Sequence, residues 1–152
     1  MEPGVRKMTK KDAAYFTLYW SRFLKADRSV INGMVPARGG VFEVYVLDQA
    51  KTLNLVTRRR AYYGGVRHTL RAITDPGSVN YVGHKHKLDP DRLFFRFVLT
   101  DSYADMSDIM FFFSRGHGTA PIEEPEDTPE PSGQYTHIFL KEITPDPLHT
   151  LS

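Results

Sequence analysis

The chain has 152 residues, 41% hydrophobic and 25% charged, enough for one domain around a single core. It has no cysteine, which excludes disulfides, thiolate metal sites and cysteine catalysis. The formal net charge of +2 hides an asymmetry: residues 1–100 hold 18 Lys or Arg against 8 acids, and residues 101–152 hold 2 against 10.

The spacing of Tyr15, Phe16, Leu18, Tyr19, Trp20, Phe23 and Leu24 predicts a helix over residues 10–27. Its aromatics could stack on bases, but a stripe of this kind is more commonly core. A turn follows at residues 36–40. Residues 41–48 then read as a strand, with Val41, Glu43, Tyr45 and Leu47 on one side and Phe42, Val44 and Val46 on the other. Residues 52–57 read as its hairpin partner. Gly64-Gly65 opens a short helix over residues 65–72, with Val66, Leu70 and Ile73 facing the core and Arg67 and Arg71 sharing the other side.

Residues 78–91 form a polar connection. Within it His84 and His86 could share one side of a strand as a metal pair, although their alternation with Lys85 and Lys87 favours a solvated loop. Residues 92–100 read as a third strand and residues 103–113 as a helix capped near Ser102. Residues 119–133 hold four prolines and five acids and read as a loop. Strand character returns over residues 134–143. The order predicts a single α+β domain, a small mostly antiparallel sheet with flanking helices. No apolar run reaches the length of a signal core or a membrane span, so the expectation is a cytoplasmic protein with no membrane partner.

Function is most legible between residues 49 and 74, which hold six Lys or Arg and no acid. Arg58, Arg59, Arg60, Tyr62 and Tyr63 interleave guanidinium and aromatic groups, the chemistry that phosphates and stacked bases require. With Arg71 on the following helix they form a candidate nucleic-acid-binding set. The competing reading is an exposed hairpin end whose tyrosines lean on the core. The acidic loop could mask this basic face or simply be solvated. His117 and His137 have no partner visible in sequence.

Val35-Pro36 followed by Gly40-Val41-Phe42 resembles the opening of GIY-YIG nuclease domains, and the order of elements over residues 36–116 is similar to theirs. The resemblance implies a GIY-YIG-like core. It places Arg67 at the catalytic arginine and Asp108, within Ser102–Asp108, at the family's metal-binding glutamate. It departs at Phe42, where the family has a tyrosine, and at Thr57-Arg58-Arg59, where the family has its second motif. Tyr45, Tyr62, Tyr63 and His68 are then the candidates for a base.

The expected function is nucleic-acid binding, DNA or RNA undecided. Cleavage with a divalent Mg or Mn ion is the lesser expectation, and without catalysis no cofactor is expected. The alternative is a non-enzymatic protein-interaction or structural module.

Overall fold

The computed structural model describes residues 2–123 and 129–145. The first elements are β1 (Gly4–Lys10) and β2 (Ala13–Tyr19), an antiparallel hairpin. Lys11, at φ 56, helps to make its tight turn. This overturns the helix expected over residues 10–27. Ala14, Phe16, Leu18 and Trp20 are buried, while Tyr15 is exposed and Tyr19 half-buried on the other face. That period of two belongs to a strand. Large side chains on both faces imitate a broad helical stripe, and periodicity cannot separate the two in so short a segment.

Beyond β2 the chain changes partner. The Trp20 N–H donates to Ile143 O at 3.0 Å, whereas the Ser21 N–H donates to Phe97 O at 2.9 Å. β3 (Leu24–Lys25) follows, then α1 (Arg28–Met34), whose cap Asp27 accepts from the Val30 N–H at 2.9 Å.

β4 (Gly40–Leu47) and β5 (Leu53–Ala61) form the antiparallel hairpin expected from sequence, and β6 (Leu93–Leu99) joins the other side of β4, also antiparallel. Gly40 permits the closest approach: a Cβ there would lie 2.1 Å from Val98 O, far inside contact distance. α2 (Gly65–Thr74) opens through Gly64 and Gly65, at φ 78 and 79, a region that costs glycine little. The polar connection holds α3 (Gly83–His86) and a single 3-10 turn, Pro90–Arg92. α4 (Tyr103–Ser114) is capped by Ser102, and β7 (His137–Ile143) completes the described elements.

Seven strands make one sheet in the order β5-β4-β6-β1-β2-β7, with β3 also on β6. β7 runs parallel to β2, and β1 meets β6 in parallel only at Gly4 and Leu99. The α+β class holds, but the sheet is large, mixed and curled instead of small and mostly antiparallel. The curl has a local cause. Ser21, Leu24 and Lys25 occupy the edge of β6 beside Phe94–Phe97, which leaves β1 only its last residue.

Two cores result. Phe42, Val44, Val56, Phe95 and Phe97 pack with Val66, Leu70 and Ile73 of α2 and with Ile31 of α1. On the other face Val41 and Val98 join Ala14, Phe16, Leu18 and Trp20 around Met106, Ile109 and Phe113 of α4. The sheet therefore wraps α4 and carries α2 on the outside of its β4–β6 half.

Candidate nucleic-acid interface

β5 runs to Ala61, so the triple arginine lies inside a strand and not at an exposed hairpin end. Successive side chains then point to opposite faces. Arg58, opposite Glu43, turns towards α4 with its guanidinium stacked 3.8 Å from the Phe113 ring. Its Nε and Nη2 both lie 2.8 Å from Glu43 Oε2. Arg60 faces the same way, donating to Ser107 Oγ at 2.9 Å and lying 4.8 Å from the Tyr103 ring. Arg59 faces the other side, where its Nη2 meets Glu123 Oε1 at 2.6 Å.

Glu123 also accepts from the Thr57 hydroxyl, and the Ile122 and Glu123 N–H groups donate to Leu55 O and Val56 O. The start of the acidic loop thus covers the outer edge of β5 and neutralises one arginine. Residues 124–128 of that loop lie outside the described residues.

Glu43 is fully buried at the centre of an ion network. Its Oε1 accepts from Arg96 Nε at 2.7 Å and from the Tyr45 hydroxyl at 2.8 Å. Arg96 reaches Glu142 at 3.4 Å, and Glu142 accepts from Trp20 Nε1 at 2.8 Å. Two arginines and two carboxylates balance, as buried charge requires. The network links β4, β5 and β6 to β7 and to Trp20, just beyond β2, holding the two halves of the curl together. Burial, and then the charge of Glu43, push the Tyr45 phenol far above its ordinary value. It is a donor here, poorly suited to act as a base.

Arg67 and Asp108 do not meet. Arg67, on α2, donates from Nε to Val35 O at 2.6 Å, on the α2 side of the sheet. Asp108 is buried on α4, on the opposite side, and both its oxygens are taken: the Ser132 N–H and hydroxyl donate to them at 2.8 Å each. Among the described residues no group of three or more His, Asp or Glu could hold a metal ion. Phe42, at the first motif, is fully buried core.

His68 and Arg71 line an open cleft of about 510 Å³ with Lys25, Arg28, Ile31 and Asp75. Tyr62 packs edge-on against Tyr63 and Tyr103, at 5.0 and 5.1 Å, so these rings and Arg60 form a small exposed cluster. His84 and His86 sit on α3 and not on a strand. Two residues apart on a helix, they do not share a face.

The surface that sequence reasoning missed is the outward face of β1, β2 and β7. Register aligns three rows across these strands: Arg6, Thr17 and Lys141; Met8, Tyr15 and Phe139; Lys10, Ala13 and His137. Gly4, Tyr19 and Ile143 make a fourth. Tyr15 and Phe139 stack at 5.0 Å with rings 15° from parallel. Met8 is 68% exposed, Tyr15 45% and Phe139 48%, one apolar row of the kind that marks interaction surfaces; Ile143, 43% exposed, lies beyond the Arg6–Thr17–Lys141 row. Arg6, Lys10, Lys141 and His137 are exposed around it, and none of the twelve positions is acidic. Lys7 points inward instead, to Asp105 at 2.9 Å, and that hydrogen bond holds its ammonium pKa above the usual lysine value. The signal available in sequence was the set of alternate residues Met8, Tyr15, Phe139 and Ile143, which means nothing until β7 is laid beside β2.

These features define an α+β domain whose curled sheet encloses one helix, holds a buried ion network, and leaves one aromatic, cationic face open. A family model described as "Uncharacterised protein" matches residues 5–152, and the chain belongs to that family. No curated protein and no solved structure matches it. Among the described residues no helix is long and apolar enough to cross a membrane.

Proposed function

We propose that this domain binds nucleic acid and that the outward face of β1, β2 and β7 is the contact surface. One observation carries it: an exposed aromatic row flanked by Arg6, Lys10 and Lys141, with no acid on the face. Cations fix a phosphate backbone, and acid-free surroundings avoid repulsion along it. The triple arginine contributes less, because Arg58 and Arg59 are held by Glu43 and Glu123. Binding makes no demand on Arg67 and Asp108, which face away from each other across the sheet, whereas cleavage by a GIY-YIG-like mechanism would need both at one phosphodiester.

The test is R6E/K10E/K141E, compared with K51E/K85E/K87E, which changes net charge equally at other sites. The first variant should weaken binding and flatten the slope of log affinity against log salt by roughly 2–3, about 0.7–0.9 per lost phosphate contact. Equal loss in both variants would reduce the effect to net charge. No binding by the parent protein at low salt would remove the proposal.

A further inference from the structure

Resting on that reading, we infer that the nucleic acid is single-stranded and that its bases stack on the Tyr15–Phe139 pair. The cations alone would serve a duplex as well as a single strand. The aromatic row would not, because a duplex keeps its base faces inside and presents phosphate and sugar to a broad sheet surface. Unpaired bases have free faces, and exposed aromatic side chains bind them with little regard to sequence.

The geometry fits a strand lying across the sheet. Tyr15 and Phe139 are already parallel at 5.0 Å, and about half of each side chain is exposed, so a third ring extends the stack. His137, at 6.4 Å and 28° from Phe139, continues it on the same strand. The cationic rows lie about 6.6 Å to either side of the aromatic row, two residues of strand rise. One of these rows holds Arg6 and Lys141, and the other holds Lys10 beside His137. Phosphates therefore have partners on both flanks while the bases sit between. A buried underside of Phe16, Leu18, Ile138 and Leu140 fixes β2 and β7 from below, so the platform does not have to be assembled on binding.

Fluorescence anisotropy of the full chain with labelled oligo-dT and oligo-U of about 12 nucleotides, and with a duplex of the same length, reads this directly. The parent should bind one or both single strands more tightly than the duplex. Y15A/F139A should lose about 10- to 100-fold for the single strands, with duplex affinity and salt slope unchanged. Y15F/F139Y should retain binding. Both positions are outside the core, and a thermal melt confirms folding of each variant. Y62A/Y63A removes the other exposed aromatic cluster and should leave single-strand affinity intact.

Equal affinity for single strand and duplex overturns the inference while leaving nucleic-acid binding in place. So does equal loss in Y15A/F139A for both ligands, or a loss that follows Y62A/Y63A instead. Absence of any binding at low salt overturns the parent reading as well. Self-association of the parent in sedimentation, abolished in Y15A/F139A, together with no oligonucleotide binding, would assign the face to a protein contact and overturn both.

Discussion

Glu43 shows how one buried charge can organise a sheet. Its carboxylate has no solvent contact and receives Arg58, Arg96 and Tyr45. Glu43→Ala leaves Arg58 without its carboxylate partner and Arg96 with only the longer contact to Glu142, at 3.4 Å, in a buried site. Such a loss typically costs about 3–5 kcal/mol, so the urea midpoint should fall sharply. A change under about 1 kcal/mol would mean that water replaces the carboxylate readily. Tyr45 adds a pH dependence. Its folded pKa lies above the ordinary value of 10.0. The stability it contributes is therefore fully present below pH 10 and is lost as pH rises beyond it. Tyr45→Phe has no such proton to lose, so its stability should decline less steeply above pH 10 than the parent's. Parallel declines would locate the alkaline sensitivity elsewhere, Lys7 and Tyr81 being the other groups among the described residues held above their ordinary values.

At the scale of elements, α4 is positioned by both ends of the chain. Lys7 of β1 pairs with Asp105, and Asp108 receives Ser132 just before β7. The side-chain pairing of Asp108 with Ser132 fixes where the chain re-enters the sheet after the acidic loop. Asp108→Ala should destabilise the fold by about 1–3 kcal/mol through the unmade hydrogen bonds, while Asp108→Asn, which keeps one acceptor, should lose less. Melting with and without magnesium separates this structural role from a metal-binding one: a ligand role predicts a magnesium-dependent rise in parent Tm that Asp108→Ala abolishes. Edge protection is visible at the same scale. Residues 122–123 hydrogen-bond along β5, covering an edge that would otherwise offer unpaired backbone groups.

Across the molecule, the charge asymmetry resolves into placement. The basic half of the sequence contributes Arg58 and Arg96 to the interior, Arg59 to the acidic loop, and Arg6 and Lys10 to the open face. The acidic half contributes Glu142 inward and Asp105 and Asp108 to the enclosed helix. Among the described residues four ion pairs join the halves, Lys7–Asp105, Arg38–Asp101, Arg59–Glu123 and Arg96–Glu142. The β4–β6 half has both faces packed, against α2 on one side and α4 on the other. The β1–β2–β7 half has only its inner face packed, and that difference leaves Tyr15 and Phe139 in water.

Local pattern was enough for elements that carry their own signal. The alternation of Val41–Leu47 marked β4 and even assigned Glu43 and Tyr45 to a shared face. Gly64-Gly65 and the Val66, Leu70, Ile73 spacing marked α2, and Ser102 marked the start of α4. Residues 10–27 were ambiguous because both faces of β2 are apolar, one for the core and one exposed, and the tight turn at Lys11 is too short to break the pattern visibly. The run Arg58–Arg60 looked like one basic patch because sequence does not reveal where a strand ends; β5 runs four residues past the expected end, to Ala61, and sends alternate guanidinium groups to opposite faces. Only tertiary structure could set Arg67 and Asp108 apart, since the two sides of the sheet are distinguished by packing. The open face depends on the pairing of Tyr15 with Phe139, residues far apart in the chain. Such a contact is determined by which strands meet once the core has formed, and no local propensity encodes it.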